Sequence, residues 1–441
     1  MTCKNKPEES NIREIPKIVE KAREAYQRWR LVSLEERVKL IRRISSEIRK
    51  RRKDIAEINT KEMGKPIKAA IAESDSAADE TDFYCRNAKD YLKDEPHDKN
   101  NKTVYAPLGV VAVISPWNYP VTTPISSLVP ALLCGNSVIL KPSEYTPKTG
   151  ILLAEIFKKF LPESVFQVII GGKDHGETLV KSDIDLVSFT GSQTAGKSIM
   201  RNCSYKLHDM VLELGGLDAA IVLKDADVRK TAESILKANI RNSGQVCCAV
   251  KRVYVEKNVY KKFVSEISKF SKKVKLGDPL SDVDMGPLVG GFQLKKVEDF
   301  VGDALKKGAK AVSGGEKIKG NFYPSTILID VDHNMKIMNE EAFGPVLPIY
   351  PVCSWEEAVR FINDSKYGLT TSVWTGDLRL GEDIAKKIEV GVSWINAHGG
   401  GPLGAPWGGT KQSGIGRLSS RGGFRSFCNI QLIRRYKQQD L

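Results

Sequence analysis

The chain has 441 residues and carries 68 Lys+Arg against 54 Asp+Glu, a formal net charge of +14. That length allows two or three domains with large cores, and 41% hydrophobic with 28% charged residues excludes wholesale disorder. Eight Cys at irregular spacing exclude a disulfide scaffold, and five His leave no Cys/His cluster of zinc spacing, so no metal site is expected.

The first residues, MTCKNKPEESNIREIPK, lack the apolar core of a signal peptide. No run approaches the ~18 apolar residues of a membrane helix. The expectation is a soluble, cytoplasmic protein with no membrane partner. Residues 12–93 read as helix, with long 3.6-period stretches and few breakers. Inside them lies the densest basic run, Arg49-Lys50-Arg51-Arg52-Lys53. Ile41, Ile44, Ile48, Ile55 and Ile58 recur around it as the apolar stripe of an amphipathic helix, and no aromatics interleave. A solvated helix face is expected, and no nucleic-acid partner.

The character then changes. Buried-strand runs at 109–115, 137–141, 165–170, 185–190 and 210–214 alternate with helical patterns, including one from Pro147 to Phe160. After Gly216 the alternation restarts. Strands are expected at 219–223, 252–256, 325–329, 346–350, 371–375 and 392–396, with helices at about 227–241 and 258–274. Short apolar strands between helices imply parallel sheets covered on both faces. The stretch 397–417 is too rich in Gly and Pro for regular structure, and an ordered loop of that length is usually functional. The tail RSFCNIQLIRRY has a strand-like core that would dock on another subunit.

Four segments could carry chemistry. In Asn242-Ser243-Gly244-Gln245-Val246-Cys247, a Cys past a helix end in a glycine-containing turn can present a reactive sulfur beside an exposed N–H. A buried structural Cys is the other reading, and the neighbouring Cys248 is not distinguished by pattern. Glu213, ending a strand before Leu214-Gly215-Gly216, could be a general base or a carboxylate accepting backbone N–H bonds. Thr190-Gly191-Ser192 joins a strand to a helix and could hold a pyrophosphate, although no Gly-x-Gly-x-x-Gly opens a helix after any strand. Asn118, between Pro116 and Pro120, is either a rigid donor or a turn residue.

Together with EMGKP (62–66), SPWNYP (115–120), LKPSEYTP (140–147), FTGS (189–192), LELGG (212–216), NSGQVC (242–247), EEAFGPV (340–346) and PWGGTKQSGIGR (406–417), these segments resemble the aldehyde dehydrogenase superfamily. The resemblance runs from about residue 13 to the C-terminus, and the tail FCNIQ (427–431) looks most like the succinate-semialdehyde branch. It implies an α/β fold of two doubly wound parallel-sheet domains plus a small β oligomerisation extension. The cofactor domain would be 1–94 and 114–214, with 403–420 returning to it. The catalytic domain would be 215–402, and the extension 95–113 and 421–441. A late start implies that the family's first β segment is missing or cut short.

By the same resemblance Cys247 is the nucleophile, Asn118 and the Cys247 N–H hold the oxyanion, and Glu213 activates the water that hydrolyses the thioester. The cofactor would be NAD, with NADP as the alternative. Lys141, Ser143 and Glu144 match its adenine-ribose site, Gly191 and Ser192 its pyrophosphate site, and Glu341 the nicotinamide-ribose binder. Ile114, Trp117, Leu214 and Phe343 would line it. A homodimer or homotetramer acting on a small aldehyde is implied. A CoA-acylating semialdehyde dehydrogenase and a silent binding protein on the same scaffold are the rivals; Glu213 argues against the first and the intact Cys247/Glu213/Asn118 set against the second. The helix after Asn118 carries Thr122, Thr123 and Ser126 but no Arg or Lys. The expected substrate is therefore a small polar aldehyde such as lactaldehyde or glyceraldehyde, with succinate semialdehyde accepted but not strongly favoured. His398, in the entrance loop, would be either a further donor or a surface residue.

Overall fold

The computed structural model describes residues 7–436; the first six residues and the last five of the expected cofactor domain and extension lie outside it. The N-terminal third is helical as expected: Ile15–Trp29, Leu34–Lys50, Arg52–Met63 and Ile67–Tyr91. Ile41, Ile44, Ile48 and Ile55 are at most 2% exposed. Arg49, on the opposite face, reaches Asp79 and Asp82 at 2.8 and 2.6 Å. The basic run is thus a paired, solvated helix face, because the same 3.6-residue period that buries the isoleucines turns the charges outward.

Two parallel sheets follow. The first has the spatial order Gly414–Ile415, Asp209–Glu213, Leu186–Thr190, Val110–Ile114, Ser137–Lys141, Phe166–Val168, parallel except for the two-residue edge strand. All five residues of Val110–Ile114 and of Ser137–Lys141 are buried, as strands covered on both faces must be. The second sheet runs Lys310–Ser313, Thr326–Ile329, Val346–Val352, Arg252–Glu256, Ala219–Val222, Thr370–Trp374, Val392–Ile395, with only Lys310–Ser313 antiparallel. This is the expected α/β fold of two doubly wound sheets.

The topology positions the site. Val110–Ile114 pairs with the next strand in the chain on one side and with a much later one, Leu186–Thr190, on the other. The strand order reverses there, which opens a crevice beyond the carboxyl ends of these strands, where ligands of open α/β sheets bind. That pairing also corrects one boundary. The extension expected at 95–113 ends before Val110, because residues 110–114 form the central strand of the first sheet.

The remaining strands, Glu95–Pro96, Asn101–Pro107 and Cys428–Arg434, make a small antiparallel sheet. The tail is therefore a strand, but it pairs with its own chain, from Cys428 opposite Pro107 to Arg434 opposite Asn101. Its outer edge bonds no strand among the described residues, and Ile430 and Leu432 stand exposed on it. The stretch 397–417 is irregular but tightly packed: Trp407 and Leu418 exchange backbone bonds at 3.0 and 2.8 Å, and Ser413 Oγ donates to Gly215 O at 2.8 Å. No described helix is long and apolar enough to cross a membrane.

Candidate active site

A groove of about 470 Å³ lies at the crevice, lined by Ile114, Trp117, Lys141, Ser143, Glu144, Gly191 and Ser192. Seven of the ten cofactor residues expected from sequence therefore meet in one place. Lys141 ends its strand almost fully buried; its Nζ donates to Pro142 O at 3.0 Å and stands 3.9 Å from Glu144 Oε2. Burial lowers its pKa. Ser192 caps the helix Gln193–Cys203 by accepting from Ala195 N at 3.2 Å. The positive end of that helix opens on the groove. A half-exposed carboxylate and a buried ammonium at one end, with a helix N-terminus at the other, fit a dinucleotide's ribose and pyrophosphate. A second cavity, about 460 Å³ between Met63 and Phe322, contains none of these residues.

Leu214, Glu341 and Phe343 lie outside the groove lining. Phe343, at φ 58°, packs edge-on against Trp117 with ring centroids 5.4 Å apart. Gln293 Nε2 holds its turn by donating to Ala342 O and Phe343 O at 3.0 and 2.8 Å. Leu214 packs under Gly196 of the capped helix. Glu341 Oε1 is 3.0 Å from Lys251 Nζ.

The Cys247 turn is built by three consecutive left-handed residues, Asn242, Ser243 and Gly244, at φ 54°, 56° and 73°. A Cβ on Gly244 would come within 2.2 Å of the Gly344 backbone, so only glycine closes this turn. Left-handed backbone costs an L-residue roughly 1–2 kcal/mol, and here buried side-chain bonds hold it. Gln245 Nε2 donates to Asn242 O at 3.0 Å, and Ser243 Oγ to Gly286 O at 2.8 Å. Asn118 Nδ2 donates to Gln245 O at 3.0 Å, and Asn242 Nδ2 returns a bond to Asn118 O at 3.1 Å. Asn118 and the cysteine turn are thus locked together, and Asn118 keeps a second amide hydrogen.

Cys247 is half-buried and Cys248 buried, within a wall of Tyr119, Trp394 and Trp407. The two thiols titrate as a unit. The bond from Cys247 to Cys248 and the partial burial of Cys247 both push it up. The same bond, followed by the Arg241 guanidinium, pulls Cys248 down to about 6. The first negative charge belongs to the pair, and the surrounding groups favour Cys248 for it. Lys251 Nζ donates to the Cys247 carbonyl and bridges Asp218 and Glu341.

Glu213 ends its strand at 5% exposure, and its Oε1 has no hydrogen-bond partner among the described residues. Burial pushes it up to about 8, and Arg417 only partly opposes this. It makes no hydrogen bond to Cys247 or Asn118. A Cβ on Gly408 would stand 2.7 Å from Glu213 Oε1, so the glycine-rich loop approaches the carboxyl as closely as backbone allows.

Sequence reasoning missed several residues here. Lys65, within EMGKP, is fully buried; it pairs with Glu73 and lies 3.8 Å from the Tyr119 ring centroid. Glu73 Oε1 accepts from Val121 N and Thr122 N at 2.9 and 3.2 Å, which caps the helix Thr122–Cys134 and steadies the Asn118 segment. Arg241, next to the motif itself, sends Nη2 to within 3.6 Å of Cys248 Sγ. The glycine run lies over it, since a Cβ on Gly399 would be 3.3 Å from Nη1. The helix after Asn118 does lack a cation, but Arg241 supplies one beside the cysteines from another element. His398 is partly buried, and both of its ring nitrogens have partners in the protein. Its ring joins Cys248 O at 2.8 Å and Ser372 Oγ at 3.0 Å, and burial lowers it to about 4, so it stays neutral and ties the entrance loop down. Among the described residues no group of His, Cys, Asp or Glu could hold a metal ion.

The chain matches known proteins over nearly its full length. Residues 4–433 match the model of the aldehyde dehydrogenase family. Lactaldehyde dehydrogenase of Escherichia coli (strain K12) is 35% identical over 428 residues, 95% of this chain and 89% of that protein. A putative succinate-semialdehyde dehydrogenase [NADP(+)] of Mycobacterium ulcerans is 36% identical, covering 93% of this chain and 82% of its own. A crystal structure of the E. coli lactaldehyde dehydrogenase superposes with a TM-score of 0.93 at 34% identity, over 97% of this chain and 92% of that one. The chain belongs to the aldehyde dehydrogenase family. It is accordingly an NAD(P)-dependent oxidoreductase acting on aldehydes.

Proposed function

We propose that Cys247 is the nucleophile, Asn118 the oxyanion donor and Glu213 the hydrolytic base in the oxidation of a small aldehyde with a polar or anionic far end. The observation that carries this reading is the locked Asn118–Gln245–Asn242 network, which fixes an amide donor against the turn that carries Cys247. The sulfur adds to the aldehyde carbon, and Asn118 stabilises the developing oxyanion with its free N–H. NAD(P), bound in the groove, supplies the hydride acceptor. Glu213 then takes a proton from water so that the thioester is hydrolysed to the acid. A buried carboxylate with an orphaned oxygen suits that role and disfavours the CoA-acylating reading. We assign the groove to a cofactor-binding part (7–94 and 110–214, with 403–420), residues 215–402 to a catalytic part, and the small sheet to homodimer or homotetramer pairing in the cytoplasm.

The substrate's far end is read by Arg241. A carboxylate in a closed pocket needs a cation, ideally a forked one. Succinate semialdehyde therefore fits better than the hydroxyl-lined helix alone suggested. Arg241→Gln is expected to raise KM for succinate semialdehyde at least about tenfold, the loss of one charged hydrogen bond, and to change propionaldehyde kinetics less than about threefold. Equal effects on both aldehydes would remove Arg241 from recognition.

NAD is the preferred cofactor in this reading. Glu144 can accept from ribose hydroxyls and repels a 2′-phosphate, while Lys141, 3.9 Å away, softens the repulsion. The kcat/KM for NAD is expected to exceed that for NADP by about tenfold, and Glu144→Gln to narrow the gap. A ratio favouring NADP in the unaltered enzyme would refute this.

A further inference from the structure

Two cysteines outside the active site face each other. Cys134 ends the helix Thr122–Cys134, and Cys428, 294 residues later, opens the last strand; their Sγ atoms are 3.3 Å apart. Both are buried, and their backbones are pinned on either side. Asn136 Nδ2 donates to Phe427 O at 2.9 Å, and Cys134 Sγ lies 3.7 Å from Phe424 O. A buried cation accompanies them. Arg37 Nη1 lies against Gly135, where a Cβ would come within 2.2 Å, and its Nε has no partner among the described residues. Its charge acts on both sulfurs.

We propose that Cys134 and Cys428 form an oxidation-dependent modification site, in which a peroxide converts the pair to a disulfide that fastens the C-terminal strand to the cofactor lobe. A disulfide needs about 2.05 Å, so the two sulfurs have roughly 1.3 Å left to close. Cys428, the more exposed of the two at 7%, reacts first. Its sulfur, as thiolate, attacks one peroxide oxygen; the O–O bond breaks, leaving a sulfenic acid and hydroxide, which leaves as water with the thiol's proton. Cys134 sulfur then displaces hydroxide from the Cys428 sulfur. The S–S bond forms, the S–O bond breaks, and a second water carries off the Cys134 proton. Two thiols lose two electrons and two protons, and one peroxide becomes two waters. The cross-link closes a loop of nearly three hundred residues, which restricts the unfolded chain strongly.

The test treats the reduced full-length enzyme with hydrogen peroxide and digests it without reductant. A dithiothreitol-sensitive peptide pair joining Cys134 to Cys428 is expected, with Tm raised by roughly 3–6 °C over the reduced form. The rise should vanish in Cys428→Ser and equally in Cys134→Ala, so failure of one variant to fold leaves the other to decide. Both variants should oxidise aldehydes normally when reduced, since neither sulfur is part of the active site. The proposal is overturned if Cys134 and Cys428 are both recovered as alkylatable thiols while other cysteines have been oxidised, or if the Tm rise persists in the variants.

Discussion

Cys247→Ala is expected to lose at least about a thousandfold in kcat/KM for any aldehyde, whereas Cys248→Ala keeps kcat within about fivefold. The two residues are adjacent, so the contrast tests orientation rather than mere presence of sulfur. Cys248 is buried among Trp394, Trp407 and Tyr119, with Arg241 on its sulfur and His398 on its carbonyl. Cys247 alone is half-buried, on the turn that Asn118 braces through Gln245. Because the pair shares one negative charge, losing Cys248 removes the competing site for that charge and leaves Lys251 to favour the thiolate on Cys247. Stopped-flow NADH formation checks both variants. A dead Cys248→Ala enzyme beside an active Cys247→Ala enzyme would exchange the two assignments.

Glu213→Gln is expected to separate the two halves of the reaction. Hydride transfer needs no base at Glu213, so about one NADH per active site appears in a burst. Turnover then falls by roughly 10²–10⁴, because the thioester has lost its general base. The pH dependence supplies a second signature. Burial pushes Glu213 up to about 8, so at pH 7 most of it carries a proton and cannot accept another. Steady-state turnover limited by hydrolysis therefore rises about tenfold per pH unit below 8 and levels off above it. The Gln variant has no such group, and its slow turnover should be flat through that range. Unchanged turnover in Glu213→Gln, or a burst-free time course, would end this role.

The fold was legible wherever burial on both faces leaves a compact apolar run. Ser137–Lys141 and Arg252–Glu256 match the expected strands residue for residue. Asn101–Pro107 went unrecognised because NKTVYAP is half-exposed throughout and has no apolar run to detect. Lys310–Ser313, an exposed antiparallel edge, escaped for the same reason. In the site, the turn glycines and hydrogen-bonding amides lie in one short segment, so sequence grouped them. The Lys65–Glu73 pair under Tyr119 could not be read, because its meaning lies in a contact between a helix start and a loop some fifty residues on. Arg241 was visible beside the motif, but nothing in one dimension says that its guanidinium turns back onto Cys248 rather than out to water.

The edge strand beside Glu213 bears on how the protein is made. Asp209–Glu213 has a partner on one side early in the chain, Leu186–Thr190, but on the other side only Gly414–Ile415, with Leu214 N bonded to Ser413 O. On the ribosome, the half of the polypeptide that forms the first sheet can fold well before those residues exist. Until they arrive, the strand ending in Glu213 presents a bare hydrogen-bonding edge, the kind of surface on which nascent chains pair wrongly with one another. The hydrolytic carboxyl therefore reaches its native surroundings among the last events of synthesis, and a chain interrupted before residue 413 would carry an unfinished sheet with its reactive end uncovered.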